Sequence, residues 1–237
     1  MGSVFNILSI DWDYFIEADG SFRACHFPDI PNEKYPKSLQ HVIWVNRYAC
    51  DPELAKVGYK PIATKFVQLI KSVPFVVVAE SHKYAYTYVV QKMRECHAKR
   101  VNLLNIDFHS DFRSDADELD CGNWLSVLMS EYKGNYEWLG WKDSYLNDIP
   151  KWLKFFTNEQ KALSEIANTP WDMVFICRSD MWSPPHLDDA FTNIFKPFVD
   201  HFRSDVQQGI WSSRYDDKFQ KEMLNMRCAM QEFRKGQ

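Results

Sequence analysis

No apolar run in this 237-residue chain approaches the length needed to cross a bilayer, and no two of its six cysteines form a Cys-x-x-Cys pair. The run Phe75-Val76-Val77-Val78-Ala79 is far short of the roughly 20 residues a spanning helix needs. Scattered thiols without a paired motif argue against a structural zinc site made of thiolates. Positive charge is not in excess either. A net charge of −4 gives no general attraction to nucleic acid or to an anionic membrane. Met1-Gly2-Ser3-Val4 lacks the basic segment of an export signal, and Asn6 stands where a myristoylation signal wants Ser or Thr. The expectation is a protein of the reducing cytoplasm with free thiols, Cys177 among its core residues. Repeats, low-complexity segments and Gly/Ser linkers are absent too, so residues 1–237 read as a single domain.

What the chain does have is a core: 46% hydrophobic and 16% aromatic residues exclude a disordered polymer. Four short apolar runs each end in polar chemistry. Residues 4–10 lead into Asp11-Trp12-Asp13, and residues 75–79 into Glu80-Ser81-His82. Residues 101–106 lead into Asp107-Phe108-His109-Ser110-Asp111, and residues 173–177 into Arg178-Ser179-Asp180 and on to His186. Near-continuous apolar runs suit strands covered on both faces, hence a mainly parallel sheet between helical layers. Helical patterns over 84–98, 122–132, 158–167 and 216–234, with a broken one over 188–202 around Pro197, alternate with the strands. This predicts one α/β domain, a three-layer α/β/α sandwich. Residues 19–58, the least periodic stretch, read as an insertion or lid.

Asp107, His109 and Asp111 recur at i, i+2 and i+4, which in extended backbone would put all three on one face. Asp11 and Asp13 form a second such pair, and His82 follows a third apolar run. Crevices beyond the carboxyl ends of parallel strands are where open α/β sheets take ligands. Four carboxylates and two imidazoles from three strand ends suit Mn²⁺, with Fe²⁺ or Zn²⁺ as alternatives. Two such ions share a bridging water and lower its pKa enough to give hydroxide near neutral pH. Taken singly, each motif is equally a strand end with a helix cap. Together they point to a metal centre.

These motifs resemble the arginase–deacetylase (ureohydrolase) superfamily. Glu80-Ser81-His82-Lys83 is similar to its Gly-Asp-His-Ser motif and Asp107-Phe108-His109-Ser110-Asp111 to its Asp-Ala-His-x-Asp motif. Ser9-Ile10-Asp11-Trp12-Asp13 is similar to its Ser-x-Asp-x-Asp motif, here first in the chain instead of last. That order resembles the divergent peptide arginases, and Cys121-Gly122-Asn123-Trp124 is similar to a segment they carry. The resemblance implies an arginase-like fold with its Asp-x-Asp strand moved to the N-terminus. It also implies two Mn²⁺ ions held by Asp11, Asp13, His82, Asp107, His109 and Asp111. The implied reaction converts arginine residues of a ribosomally made precursor peptide to ornithine and urea, by attack of metal-bridging hydroxide on the guanidinium carbon.

In that picture Asp111 protonates the leaving amine, with Glu80 or His186 as relays, and Asp180, Asn123 and Trp124 contact the substrate. Trp12, Tyr14, Phe108 and Trp182 are further candidates for the mouth of the site, each equally a core aromatic. Leu125 replaces the histidine that conventional arginases carry two residues after the matched Asn. The residues leave open hydrolysis of a small guanidino compound, a deacetylase, a two-metal phosphoesterase and a non-catalytic binding module. They set no oligomeric state.

Overall fold

The computed structural model describes residues 3–28, 30–113, 118–144 and 150–235. Strand β1 (Val4–Asp11) alternates as its sequence dictates: Phe5 and Ile7 face one buried layer, Leu8 and Ile10 the other. Helices α1 (Gly20–His26), α2 (Lys37–Cys50) and α3 (Ile62–Leu69) follow, then β2 (Val76–Ala79), α4 (Lys83–Glu95) and β3 (Arg100–Ile106). The chain continues through α5 (Trp124–Glu131), β4 (Lys133–Leu139), β5 (Lys154–Phe156), α6 (Glu159–Asn168) and β6 (Met173–Cys177). It closes with α7 (Asp188–Val199), β7 (Ser204–Val206) and α8 (Asp217–Lys235). Among the described residues the strands form one seven-stranded sheet, order β5-β4-β3-β1-β6-β2-β7, with every pairing parallel.

Parallel strands need crossover connections, and helices supply them on both faces. On one face α4 and α5 bring Val89, Met93, Leu125 and Leu128 against Phe5, Ile7, Leu103 and Phe175. On the other, α3, α6 and α7 bring Phe66, Ile166, Phe191 and Phe195 against Leu8, Ile10, Leu104 and Ile176. The result is a three-layer α/β/α sandwich. Strand β1 lies at its centre, between β3 and β6. The chain leaves β1 in one direction, returns to its other side for β3, and comes back once more for β6. This reversal of strand order opens a crevice beyond the carboxyl ends of β1, β3, β6 and β2.

Two local expectations change. Helix α7 runs unbroken to Val199 with Pro197 inside its last turn, so that only the end of the helix bears the missing N–H. Residues 19–58 are largely helical rather than irregular, and α2 packs along α8. This segment also braces the crevice. The buried Asn32 side chain accepts from the Met181 N–H at 2.7 Å and donates to the Glu80 carbonyl. The Trp44 indole donates to the Asp180 carbonyl at 2.9 Å. The six cysteines are free, and among the described residues no helix is long and apolar enough to cross a membrane.

Candidate metal centre

β1 ends at Asp11, and Trp12–Phe15 then turns in a short 3-10 helix whose first N–H groups need acceptors. Asp11 supplies one, accepting from the Asp13 N–H at 2.7 Å. The turn sends Trp12 into the core and leaves Asp13, fully buried, beside the end of β3, where it accepts from the Phe108 N–H at 3.1 Å. β3 stops at Ile106, so residues 107–111 are not extended, as strand periodicity would have them. Their convergence has another cause. Asp107 accepts from the His109 N–H at 2.7 Å, and Asp111 adopts a left-handed backbone (φ 52°) that turns its carboxylate back over the sheet. His82 immediately precedes α4, and its Nε2 lies 2.9 Å from Ser9 Oγ.

All six expected ligand residues meet in this crevice. His82 Nδ1 lies 2.8 Å from Asp111, 3.1 Å from Asp107 and 3.2 Å from Asp11, each distance to an Oδ2 atom. One nitrogen carries at most one proton, yet three carboxylate oxygens surround it. His109 Nδ1 lies 2.8 Å from Asp13 Oδ2 and 3.8 Å from Asp107 Oδ1. Two groups of metal-ligating atoms, Asp13/Asp107/His109 and His82/Asp107/Asp111, are each clustered within 4.8 Å and share Asp107. Asp11, Asp13, His82, Asp107 and Asp111 are buried; the His109 side chain is 25% exposed and opens the cluster to solvent.

The electrostatics are those of anions short of a cation. Burial, then the charges of Asp13 and Asp107, hold the Asp11 carboxyl well above the usual range. Burial, with Asp111 and Asp13, pushes Asp107 up to about 8, and burial raises Asp111. Burial works against the His82 imidazolium, but Asp111, Asp107 and Asp11 outweigh it and hold its pKa well above the ordinary value. Asp13 is the exception: burial would raise it, yet His109 and Arg23 keep it below. The fully buried Asn105 Oδ1 accepts no hydrogen bond. Four carboxylates, two imidazoles and this unpartnered oxygen fit divalent cations, whose charge would replace protons and repulsion alike. These buried Asp and His clusters could hold a metal ion.

The residues expected to act on substrate are placed differently. Asp180 is buried and receives Arg178 through Nε (2.6 Å) and Nη2 (3.0 Å), and Lys37 through Nζ (2.7 Å). Burial raises its pKa, but Arg214 and Arg178 prevail and hold it far below the usual carboxylate range. Its oxygens thus already carry two of the chain's own cations, Arg178 and Lys37. Glu80 takes Lys37 at 2.6 Å. Both acids line a cavity of about 330 Å³, together with Arg178, Arg214, Trp44 and Phe219, that none of the six ligand-type residues lines. His186 places its two ring nitrogens against Tyr48 Oη and the Val57 carbonyl. Asn123 braces its own loop through the Asp120 N–H (2.8 Å) and the Glu118 carbonyl (2.7 Å).

Trp124 is fully buried, and its indole N–H donates to Asp111 Oδ2 at 2.5 Å. Trp12, Tyr14 and Phe108 are core; only Trp182, half-buried with its ring 4.6 Å from that of His109, stands at the opening. Two positioning residues stand outside the expected set: Ser9, which opens the Ser-x-Asp-x-Asp motif without a role assigned to it, and Arg23, which no motif marks. Ser9 fixes the His82 ring. Arg23, 3% exposed, lies 3.7 Å from Asp13 Oδ2, donates to the Asp13 carbonyl at 2.6 Å and covers the Phe108 ring at 3.9 Å. Trp124→Phe removes the donor to Asp111 while keeping most of the packing. It is expected to weaken metal binding about 10- to 100-fold, as loss of an outer-shell partner does, with the far-ultraviolet circular dichroism unchanged. Competition with a chelator measures it.

No protein-family model, curated protein or solved structure matches the chain. The resemblance to the ureohydrolases is one of sequence motifs alone.

Proposed function

We propose that this chain is a binuclear-metal hydrolase that converts arginine residues of a ribosomally made precursor peptide to ornithine, releasing urea. The observation that carries the metal reading is His82 Nδ1 ringed by oxygens of Asp11, Asp107 and Asp111 at 2.8 to 3.2 Å, beside a second ligand group sharing Asp107. A pair of divalent ions, Mn²⁺ by the oxygen-rich donor set, balances the four carboxylates. When bound, the ions supply a water acidic enough to ionise near neutral pH.

The residues do the rest. Asp11, His82, Asp107 and Asp111 would hold one side of the pair, and Asp13, Asp107 and His109 the other. His109 and Trp182 border the solvent-facing side, where an indole face attracts a guanidinium. Of the three residues considered for protonating the leaving amine, Asp111 alone lies in the cluster, since Glu80 faces Lys37 and His186 is hydrogen-bonded elsewhere. In the overall reaction water adds to the guanidinium carbon, the bond to the side-chain nitrogen breaks, and that nitrogen gains a proton. The peptide keeps an ornithine. The choice of a peptide over free arginine is supported by the motif order alone.

The test is incubation of metal-loaded protein with an arginine-containing peptide and, separately, with free arginine. Urea together with ornithine in the peptide digest is the expected result, at a rate at least about tenfold that with free arginine, about 1.4 kcal/mol in transition-state binding. Faster turnover of free arginine would make it an amino-acid ureohydrolase. Two bound metal equivalents with no urea from either substrate would overturn the guanidinium assignment.

A further inference from the structure

We infer that Cys177 is a ligand in this centre, donating a thiolate to the cation shared by Asp11 and His82, so that this side takes Zn²⁺, Fe²⁺ or Co²⁺ ahead of Mn²⁺. The inference rests on the metal centre proposed above and adds a donor that the ureohydrolase-like motifs do not contain. The placement follows from register. Cys177 is paired with Asp11 on one side and with Ala79 on the other, at the carboxyl ends of β6, β1 and β2. In-register residues of adjacent parallel strands project from the same face of the sheet, so Cys177 and Asp11 enter the same space. His82, three residues beyond Ala79, reaches back over that row. Sγ of Cys177, a carboxylate oxygen of Asp11 and a ring nitrogen of His82 all lie within 4.8 Å of one another, and all three residues are buried.

A thiol at this position is more than filler. The neighbouring strand fills the same row with Ala79, which leaves the space without chemistry. One row behind, on the same face, Asn105 is fully buried, its amide donates to Asp107 Oδ2 at 3.3 Å, and its carbonyl oxygen has no hydrogen-bond partner. This side of the cluster therefore offers more electron pairs than the chain has donors to satisfy. Charge also balances: four carboxylates and a thiolate are five negatives, against two divalent ions and Arg23, five positives. Soft thiolate selects zinc or ferrous iron over manganese, whereas the Asp13/Asp107/His109 group, all oxygen and imidazole, keeps the harder preference. The geometry thus assigns unlike ions to the two halves.

The experiment uses the full chain stripped of metal and reloaded with Co²⁺ or Zn²⁺. Co²⁺ is expected to show a thiolate-to-metal charge-transfer band in the near ultraviolet, and X-ray absorption of the zinc form a sulfur neighbour at about 2.3 Å. Cys177→Ser and Cys177→Ala should lose both signals and bind zinc at least about 10- to 100-fold more weakly, the loss caused even by an outer-shell change. Manganese affinity should shift far less. Cys121→Ser, at the other buried cysteine near Asp111, should keep the band. The wild-type X-ray spectrum alone decides the matter if the variants misfold. Bound metal without sulfur, or a band that survives Cys177→Ser, overturns the ligand assignment while leaving the metal centre standing. Failure to bind any divalent ion overturns both.

Discussion

Asp107→Ala is expected to lose the metal ion held with Asp13 and His109, to bind the other far more weakly and to lose urea release. Asp107 is the residue that the two ligand groups share: Oδ2 faces His82 at 3.1 Å and Oδ1 faces His109 at 3.8 Å. Any other single change within these two groups leaves one of them intact, whereas Asp107→Ala breaks both and leaves only Asp11, His82 and Cys177 together. Acidification of water by the ions is what makes attack feasible near pH 7, and its loss should lower turnover by at least about a thousandfold. Asp107→Asn separates charge from shape, because the amide can still accept from the His109 N–H. It should fold, bind metal far more weakly than the native chain, and be at least as stable as the native chain when both are metal-free near pH 7, since an amide sits buried beside the other acids without having to take up a proton. Elemental analysis and thermal melts of the three proteins test this. Native metal content in Asp107→Ala would refute the shared-ligand role.

The metal-free protein should lose stability as pH rises from about 4 to about 8, and metal should restore it most at the upper end. Asp107 in the folded, metal-free chain keeps its proton up to about 8, against an ordinary value of 3.8. Across that window the unfolded chain binds fewer protons than the folded one, so stability falls with rising pH. Asp11 and Asp111, also raised, act in the same sense, and so does His82, whose imidazolium persists above its ordinary 6.5. Asp13, held low beside His109 and Arg23, has the opposite sign and matters only as pH drops below the ordinary carboxylate value. Each tenfold change in proton affinity is worth about 1.4 kcal/mol, roughly 3–5 °C in Tm for a chain of this size. Metal must displace these protons, so the gap in Tm between metal-loaded and chelator-treated protein should widen from pH 5 to pH 8. A gap that stays flat or narrows would count against protonated carboxyls as what holds the empty cluster together.

Much of this could be read from the chain before any coordinates. The four strands that build the crevice are the four whose apolar runs are continuous, because a strand buried on both faces needs such a run. Helices α4, α5, α6 and α8 were expected to within a few residues. β4, β5 and β7 were not visible, and their composition explains it. Lys133–Leu139 mixes Lys133, Gly134, Asn135 and Glu137 with its apolar residues, and β5 and β7 are three residues each at or near a sheet edge. At Gly134 the backbone comes so close to β3 that a Cβ would meet the Val101 carbonyl oxygen at 1.7 Å, a demand no hydrophobic pattern expresses. For the site, residue types carried the six ligand candidates, but their spacing misled. Extended backbone was the assumed reason for Asp107, His109 and Asp111 to converge, whereas the turn at Asp111 produces it. Long-range ion pairs were invisible: nothing near Asp180 in sequence says that Lys37 and Arg214 will neutralise it.

The central position of β1 constrains how the molecule can be made. Its first partner, β3, is about 100 residues away in the chain, and its second, β6, begins at Met173. Such distant pairing is slow to form, and until it does β1 has both edges bare. The chain makes Asp11 and Asp13 well before Asp107, His109 and Cys177, the residues they meet at the carboxyl ends of the sheet.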